Sequence, residues 1–383
     1  MESPTQTLRL LLLTDTAILG SGGSERFLRN LVANLPAEGF SVDVLQLAEP
    51  PAEARRVAGI DESRARLMYH PIDAVYGVRG LAAFRRVRER VVQRHYDIVQ
   101  SHHEKSDLIN AFLPRIAGVR RISNRRDMGF QKSGRVRALF RRANGRFDRI
   151  VAPASSIVDA LVAGENANRA RCLTIPNGVD TTRFVPADGP ARARMRAALG
   201  FSADHLLIGC VASFTPVKQH EALIAAFAQV WARLPHAHLL LVGDGPLRAT
   251  INAQVRAMGL HEHVHMLGAR PDVENILPVL DVFALASSTE GMSNAILEAQ
   301  ACGVAVVATD VGGNAELIHQ STGILVPASM PQALARALCD LAEDDDRRDA
   351  LAAAALRRVT REHSLAAMAA AYGRMYRELA NGH

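Results

Sequence analysis

The sequence of 383 residues predicts an α/β protein of two Rossmann-like domains, each a doubly wound parallel sheet with helices on both faces. Short apolar runs alternate with longer segments of helical periodicity along the whole chain, and this alternation occurs twice. Turn-forming residues interrupt it near the middle of the chain. The length also suits two domains of roughly 100 to 200 residues each.

In the first half, six apolar runs are predicted to be strands, with helical patterns such as 25–35 and 81–94 between them. These strands are 8–13, 42–47, 97–100, 119–123, 149–152 and 172–175. The segment 176–190 then contains three prolines and two glycines, which break any regular element. We therefore expect the hinge between the domains in this segment.

In the second half, helical patterns such as 221–234 and 294–301 separate six further predicted strands. These strands are 206–212, 238–242, 264–267, 281–284, 304–308 and 323–326. After Ser364, a suitable N-cap, apolar side chains recur at helical spacing and predict a helix with one buried face. They are Leu365, Met368, Tyr372, Met375 and Leu379.

The composition, 48% hydrophobic and 22% charged, is typical of a folded globular protein and excludes a disordered one. The apolar run 10–13 is far too short for a signal peptide or a membrane span, so we expect a cytoplasmic protein. The four cysteines form no C-x-x-C pair and have no histidine pattern nearby, which favours buried thiols over a metal site or a disulfide. They are Cys172, Cys210, Cys302 and Cys339.

Basic residues are concentrated in 81–149, a segment that contains sixteen arginines and two lysines but only six acidic residues. Such a surface suits phosphates or anionic lipid, and the alternative is a set of solvated helix faces. The segment matches no known nucleic-acid-binding module. We therefore expect no nucleic-acid partner.

The segment 290–298, EGMSNAILE, lies between a predicted strand and an Ala-rich helix. Ligands of open parallel sheets bind beyond the carboxyl ends of strands, where free N–H groups of a helix N-terminus attract phosphate. Eight helical steps of ~100° would leave the two glutamates about 80° apart, so Glu290 is better placed in the loop. Glu298 lies one turn into the helix, too deep for a capping box. It could accept both hydroxyls of a ribose, or merely complement the helix dipole.

Lys218 follows the first predicted strand of the second half. It is one of only three lysines in a chain with 42 arginines. A compact ammonium at a strand end suits a diphosphate leaving group, and the alternative is an ordinary surface lysine.

Two polar loops follow strands of the first half. Adjacent His102 and His103 must point in opposite directions in extended backbone, so at most one enters the site, and we favour His102. Gly22 and Gly23 precede a helix and would let a sugar approach the backbone closely, although the G-x-G-x-x-G pattern is incomplete. A plain turn between strand and helix is the alternative there.

These segments together resemble the retaining, nucleotide-sugar-dependent glycosyltransferases of family 4, which have the GT-B fold. The resemblance runs nearly end to end. The family's E-x7-E element matches 290–298, its strand-loop lysine matches Lys218, its first-domain histidine His102, and its glycine-rich loop Gly22 and Gly23. Further family landmarks are the segments 175–180, 241–246, 268–272 and 311–316.

The resemblance implies a division into an acceptor domain 1–178, a donor domain 179–362, and a terminal segment 363–383 that packs back on the first domain. It implies that Glu298 binds the ribose and Lys218 the diphosphate. Glu290 and the backbone of Met292, Ser293 and Asn294 would bind the donor sugar, and His102 a sugar hydroxyl. Gly243 is expected to belong to the same donor site. Where the family commonly has an arginine before the lysine, this chain has Ser213, so phosphate binding is expected to be weaker or to use Arg270.

The implied reaction transfers a glycosyl group from a UDP- or GDP-sugar to a hydroxyl of a carbohydrate or lipid-linked acceptor, with retention of the anomeric configuration. The sequence shows no divalent metal site and predicts no permanently bound cofactor. Glu290 could act as a nucleophile on chemical grounds, but the resemblance favours a positioning role. A sugar-nucleotide epimerase or a phosphorylase would share the architecture. Release of free nucleoside diphosphate only in the presence of acceptor would argue against both.

Overall fold

A computed structural model describes residues 7–18, 22–49, 64–72, 77–126 and 132–382. The chain divides into two compact units: unit 1 is residues 1–178 with 365–383, and unit 2 is residues 179–364. The chain enters and leaves unit 2 at neighbouring positions. The Val179 N–H donates to the carbonyl of His363 at 2.8 Å, and Val179 pairs with Ser364 in a parallel bridge.

Unit 1 contains a seven-stranded parallel sheet with the order β3-β2-β1-β4-β5-β6-β7. Its strands are β1 Leu8–Thr14, β2 Phe40–Gln46, β3 Ala65–Tyr69, β4 Ile98–Ser101, β5 Arg120–Asn124, β6 Arg149–Ala152 and β7 Cys172–Thr174. The helices between them are α1 Gly23–Asn34, α2 Gly77–Arg94, α3 Glu104–Phe112, α4 Gly134–Ala143 and α5 Ser155–Glu165.

The leucines of β1 show why this sheet must be covered on both faces. Leu10 and Leu12 join a core that includes α1, whereas Leu11 and Leu13 join a separate core that includes α2 and α3. Side chains of a strand alternate between the two faces, so a continuous run of leucines buries both.

Unit 2 contains a six-stranded parallel sheet with the order β10-β9-β8-β11-β12-β13. Its strands are β8 Leu206–Val211, β9 Ala237–Val242, β10 Val264–Gly268, β11 Val282–Leu285, β12 Ala305–Thr309 and β13 Ile324–Val326. Its helices are α6 Gly189–Ala198, α7 His220–Arg233, α8 Arg248–Ala257, α9 Val273–Ile276, α10 Asn294–Ala301, α11 Asn314–Leu317, α12 Pro331–Glu343 and α13 Asp345–Glu362.

The final helix, α14 Leu365–Ala380, belongs to unit 1 although it follows the whole of unit 2. Its Met368, Tyr372, Met375, Tyr376 and Leu379 are buried in the same core as α1 and one face of β1. Large apolar side chains each contribute roughly 1.5–3 kcal/mol when fully buried, which fixes the helix to this face. The expectation that the terminal helix crosses back to the first domain is confirmed.

The predicted architecture of two parallel-sheet Rossmann-like domains is also confirmed. All twelve predicted strands are present, with bounds that differ by at most two residues. The sequence prediction missed β3, which lies at the edge of the unit 1 sheet. Only one neighbour pairs with this short strand, and Arg66 within it is exposed, so its residues lack the apolar run of the central strands.

Candidate active site

Unit 2 has one point where the strand order reverses, between β8 and β11. From β8 the chain proceeds outward through β9 and β10, and it then returns to β11 on the other side of β8. Crevices beyond the carboxyl ends of strands at such a reversal are the usual ligand sites of open α/β sheets. Lys218 lies on the loop after β8 and Glu290 on the loop after β11, so both follow strands that flank this point.

The structure brings these two predicted side chains into direct contact. Lys218 Nζ donates to Glu290 Oε1 at 2.5 Å, and Ser287 Oγ donates to the same oxygen at 2.6 Å. The side chains of Lys218 and Glu290 are 22% and 9% exposed, so water screens the pair less than it screens a surface ion pair. The contact holds an ammonium and a carboxylate in a defined geometry at the strand ends.

Two hydrogen-bonded links hold the loops that carry this pair. Both the backbone N–H and the hydroxyl of Ser288 donate to the carbonyl of Val217, at 2.8 and 3.2 Å, which joins the Glu290 loop to the Lys218 loop. Thr309 Oγ1, at the end of β12, donates to the carbonyl of Ser287 at 2.6 Å. The Glu290 loop is therefore tied to neighbours on both sides.

Gly312 touches the Glu290 backbone so closely that no side chain fits. Its φ is +52°, and a Cβ atom built on it would lie 1.7 Å from the Glu290 carbonyl oxygen. The adjacent Gly313 N–H donates to the carbonyl of Gly291 at 3.1 Å. Glycine is required at 312 because it alone combines this φ with such an approach.

Helix α10 begins next to Glu290. Ser293 is its N-cap, and the Ser293 hydroxyl accepts from the Ile296 N–H at 3.4 Å. Glu298 is the fifth helical residue and is 6% exposed, which agrees with its predicted position one turn into the helix. Met292, before the cap, is also buried.

A second acidic side chain and an arginine lie near Glu298. Arg183 donates to Glu274 at 2.7 Å, and this hydrogen bond, with the charges of Glu274 and Glu298, raises the pKa of Arg183. Burial, followed by the charges of Glu298 and Glu274, raises the pKa of the Cys302 thiol to about 12. Glu298 and Glu274 are thus the acidic side chains that act on this part of α10, and a carboxylate such as Glu298 suits the hydroxyl donors of a ribose.

Two residues beside Lys218 are neutral at pH 7. Burial, and then the charge of Lys218, lowers the pKa of His220 to about 4, and the His220 ring packs edge-on against Phe214 with centroids 4.7 Å apart. Burial raises the pKa of Cys210 to about 12. Lys218 and Glu290 therefore carry the formal charges of this group of side chains.

The remaining predicted donor residues lie on other loops of unit 2. Gly243 follows β9 with φ +142°, and a Cβ atom there would lie 2.0 Å from the Ala212 carbonyl oxygen. Ser213 is exposed, and its Oγ lies 3.5 Å from Thr215 Oγ1. Arg270 donates twice to Asp272, at 2.8 and 2.6 Å, and this hydrogen bonding raises the pKa of Arg270. The role of Arg270 in phosphate binding remains a prediction.

Unit 1 has an equivalent reversal of strand order between β1 and β4. His102 directly follows β4, and its N–H donates to the carbonyl of Leu13 in β1 at 3.0 Å. The side chain is only 3% exposed, and burial lowers its pKa well below the usual value, with further lowering by the charges of His103 and Arg126. His103 instead caps α3 and lies 3.1 Å from Thr14 Oγ1 through its Nδ1. The two histidines thus diverge, as their adjacency predicts.

The predicted glycine-rich loop leads into α1. Gly22 is the N-cap of this helix and Gly23 is its first residue. The Phe27 ring, one turn further, lies 5.9 Å from the His102 ring and 3.7 Å from Arg126 Cζ, measured from the ring centroid. The start of α1 and the loop after β4 therefore belong to one group of side chains in unit 1.

Two family models match this chain. The model described as Glycosyltransferase Family 4 matches residues 21–183, and the model described as Glycosyl transferases group 1 matches residues 205–344. The chain is also 30% identical over 301 residues to the D-inositol 3-phosphate glycosyltransferase of Kineococcus radiotolerans, covering 70% of this chain and 68% of that protein. The chain belongs to glycosyltransferase family 4.

Another relative of this family 4 glycosyltransferase is the GDP-mannose-dependent monoacylated alpha-(1-6)-phosphatidylinositol monomannoside mannosyltransferase of Corynebacterium glutamicum. The two are 36% identical over 199 residues, which is 50% of this chain and about half, 52%, of the relative. The fold is shared with HepE of Anabaena, whose crystal structure contains UDP. The TM-score is 0.84 at 20% identity, over 96% of this chain and 99% of HepE. The GT-B architecture is thereby confirmed.

Several residues that shape the site of this glycosyltransferase were not found from the sequence. Ser287 and Ser288 act through contacts between loops, which no spacing pattern indicates. Gly312 lies in the landmark segment 311–316, but its contact with the Glu290 backbone was not predicted. Gln100 and Tyr376, which lie in a row with His102, are 276 positions apart. The sequence offered one signal for this row: Gln100 is a large polar residue directly after the apolar Ile98 and Val99 of a strand, and buried polar groups need partners.

The described residues contain no group of three or more His, Cys, Asp or Glu side chains that could hold a metal ion. All four cysteines are free thiols; three are buried and Cys172 is partly exposed. No helix in the described ranges is both long and apolar enough to cross a bilayer.

Proposed function

We propose that this glycosyltransferase transfers a sugar from a nucleoside diphosphate sugar to a hydroxyl of a carbohydrate or lipid-linked acceptor, with retention of the anomeric configuration. The observation that supports this most directly is the contact of Lys218 and Glu290 at the strand-order reversal of unit 2, beside the N-terminus of α10. It combines a fixed cation, a carboxylate and a helix N-terminus, the groups that a diphosphate and a sugar need.

The donor is expected to bind to unit 2 through three kinds of contact. The diphosphate interacts with Lys218 and with the positive N-terminal end of α10, while the backbone of Met292, Ser293 and Asn294 contacts the donor sugar. Glu298 accepts the hydroxyls of the ribose. Glu290 accepts a hydroxyl of the donor sugar, and the diphosphate then replaces Glu290 as the main partner of the ammonium.

Both UDP and GDP remain candidates for the nucleotide. HepE binds UDP in its crystal structure, and the Corynebacterium relative is named for its dependence on GDP-mannose. Gly243 and Ser213 lie on loops of the same unit that could meet the base or the phosphates. Two of the three guanidinium nitrogens of Arg270 donate to Asp272, so a phosphate would meet the remaining nitrogen or compete with Asp272.

In the proposed reaction the acceptor oxygen attacks the anomeric carbon from the face that the diphosphate leaves. The new glycosidic bond forms as the bond from that carbon to the phosphate oxygen breaks, and the proton of the acceptor passes to the departing phosphate. Lys218 and the N-terminus of α10 stabilise the charge that develops there. A single preorganised contact of this kind typically lowers a barrier by ~3 kcal/mol. Glu290 positions the sugar, and His102 donates a hydrogen bond to a sugar hydroxyl.

The experiment that tests the donor site is a thermal-shift panel of UDP-, GDP- and ADP-sugars with the native chain and the Glu298→Ala variant. One nucleotide is expected to raise the unfolding midpoint of the native chain, and Glu298→Ala should abolish the rise. Glu221→Ala is the matched control because Glu221 is an exposed carboxylate in the first turn of α7. Equal shifts in both variants would reject Glu298 as the ribose ligand.

Retention is tested separately, with the donor that the panel identifies. The anomeric configuration of the product is read from the one-bond carbon–proton coupling constant of its anomeric centre and compared with that of the donor. An inverted product would reject the front-face mechanism but would not contradict the assignment of the donor site. Nucleoside diphosphate released at the same rate without acceptor would reject the transferase reaction itself.

We also propose that the basic surface of unit 1 contacts an anionic membrane. Leu81, Arg85, Arg88 and Val92 share one stripe of α2; Leu81 is 71% and Val92 42% exposed, and both arginines are exposed. A helix face with exposed arginines and apolar side chains suits the boundary of anionic headgroups and acyl chains.

Arginines that line a cavity of about 350 Å³ beside this stripe add positive charge to the same surface. Its lining includes Arg66, Arg86, Arg90 and Arg94, with Glu89 as the one acidic residue. Each arginine near an anionic surface contributes ~1 kcal/mol to binding at physiological salt.

Flotation with phosphatidylserine vesicles tests the membrane contact. The native chain should float at low salt and less at high salt, and neutral vesicles should not retain it. The double variant Arg85→Glu, Arg88→Glu should stay at the bottom. Arg347→Glu, Arg357→Glu on α13 makes the same charge change on exposed residues of unit 2 and should float. Loss of flotation in both double variants, or in neither, would contradict a specific role of α2.

A further inference from the structure

The side chains of Tyr376, Gln100 and His102 form one hydrogen-bonded row inside unit 1. Tyr376 Oη lies 2.9 Å from Gln100 Oε1, and Gln100 Nε2 lies 3.1 Å from His102 Nε2. Tyr376 and Gln100 are fully buried and His102 is nearly so. Because water does not reach this row, its polar atoms depend on one another for hydrogen bonds.

The hydroxyl of Tyr376 determines which atoms donate and which accept in the hydrogen bonds of this row. Its hydrogen needs an acceptor, and Gln100 Oε1 is the only one that the described residues supply. Turning the amide by 180° would place an N–H group against the hydroxyl and leave the hydroxyl hydrogen without an acceptor. Gln100 therefore directs its oxygen to Tyr376 and its nitrogen to His102. An amide nitrogen only donates, so His102 Nε2 must accept.

This direction fixes where the imidazole of His102 has its hydrogen. Burial lowers the pKa of His102 well below its usual value, so the ring is neutral at pH 7 and has one N–H. Nε2 accepts from Gln100 and has no hydrogen, which leaves the hydrogen on Nδ1. Among the described residues, Nδ1 has no hydrogen-bond partner. In water a neutral histidine side chain favours the other tautomer, with hydrogen on Nε2.

We propose that Tyr376 and Gln100 are positioning residues that hold His102 in its Nδ1–H tautomer, so that His102 presents a hydrogen-bond donor to an oxygen of the substrate. This inference rests on the proposed function only where it assigns that oxygen to substrate. Nδ1 is shielded from solvent, so a substrate oxygen reaches it only when the groups that cover it move aside. The Nδ1–H group at this position donates to hydroxyl, carbonyl or phosphoryl oxygens and disfavours substrate groups that can only donate.

The first test is spectroscopic and does not depend on activity. The chain is labelled with ¹⁵N-histidine, and the His102 signals are assigned by their loss in His102→Gln. We expect a protonated Nδ1 and an unprotonated Nε2 at pH 7.5. A protonated Nε2 in the native chain would overturn the inference directly.

Two variants of the row should change the tautomer of His102 in different ways. Gln100→Glu replaces the amide nitrogen by a carboxylate oxygen, which accepts from Nε2–H, so the hydrogen should move to Nε2. Tyr376→Phe removes the hydroxyl that orients the amide, so both tautomers should appear.

Tyr372→Phe is the matched control for Tyr376→Phe. Tyr372 is a second fully buried tyrosine of α14, and its hydroxyl accepts from Asn124 Nδ2 at 2.7 Å rather than contacting Gln100. The variant should keep the native Nδ1–H tautomer. A tautomer change of equal size in Tyr372→Phe and Tyr376→Phe would show a general loosening of α14 and reject a specific role of Tyr376.

Transfer kinetics separate the failure of this inference from failure of the proposed function. Gln100→Glu should lower kcat/KM by about 3- to 10-fold, because one hydrogen bond to the substrate is misplaced. If the chain shows the Nδ1–H tautomer but no transferase activity with any donor, the positioning by Tyr376 stands and the proposed function fails. If transfer is normal in Gln100→Glu although the hydrogen has moved to Nε2, the tautomer has no part in the reaction.

Discussion

Replacement of Gly312 by alanine should displace Glu290 and thereby reduce transfer. The added Cβ atom would lie 1.7 Å from the Glu290 carbonyl oxygen, where ordinary contact begins at 3.4 Å. The two segments must therefore separate by roughly 1.7 Å. A shift of that size breaks the 2.5 Å contact of Lys218 with Glu290. Misplacement by about 1 Å at a reacting site can cost ~100-fold in rate, so we expect kcat/KM to fall by about that factor.

Gly259 offers a matched control for this substitution in the same unit. Its φ of +69° resembles that of Gly312, but a Cβ atom there would meet nothing within 4 Å. Both variants place alanine in the left-handed region, at a cost of ~1–2 kcal/mol. Only Gly312→Ala adds steric overlap, at a further ~1–3 kcal/mol.

At roughly 3 °C per kcal/mol for a unit of this size, Gly259→Ala should lower the unfolding midpoint by ~3–6 °C. Gly312→Ala should lower it by a further ~3–9 °C. Transfer rates and calorimetric midpoints are measured for both. The reasoning fails if Gly312→Ala keeps a kcat/KM within threefold of that of Gly259→Ala, because the loop would then tolerate the displacement.

Three further outcomes are expected. Lys218→Met should lower kcat by ~10²–10³ because the departing diphosphate loses a fixed positive charge. Lys218→Arg should recover only part of the rate. An unchanged kcat in Lys218→Met would exclude this role of Lys218. Glu298→Gln should weaken binding of the free nucleoside diphosphate by about 1.5–3 kcal/mol, or roughly 10- to 150-fold in Kd by calorimetry, whereas an unchanged Kd would place the ribose elsewhere. Burial, together with nearby His205, His265 and His263, lowers the pKa of His238 from 6.5 to about 4 in the folded chain. Because the unfolded chain then binds more protons, stability should decline as the pH falls from about 6.5 towards 4. Thermal midpoints at pH 7.5 and 5 should differ less in His238→Gln than in the native chain, and equal differences would contradict this origin.

The sequence contained enough information to predict every described strand except β3, and its prediction of which loops hold the chemistry stays a prediction. Lys218 was identified because lysine is rare in this chain, and Glu290 because a helix begins beside it. Their contact could not be predicted, because it depends on β8 and β11 being neighbours. Strand order is a property of long-range pairing, which local periodicity does not encode.

Arg270 shows a different limit of sequence analysis. Its position in a loop of unit 2 suggested a phosphate ligand in place of the missing arginine at Ser213. In the structure two of the three guanidinium nitrogens donate to Asp272, only two residues away. Whether an arginine is free for a ligand depends on side-chain geometry, and the spacing of two residues does not determine that geometry.

The placement of α14 has a consequence for how the chain is made. Unit 1 lacks one side of a core until residues 365–380 leave the ribosome, although its seven strands are complete by Thr174. At ~5–20 residues per second, translation of the intervening 179–364 takes roughly 10–40 s, and these residues can fold in that time because they form a unit of their own. The apolar face formed by Phe27, Leu31 and Phe40 stays uncovered meanwhile. Nascent chains halted before residue 365 should therefore be the species that chaperones retain.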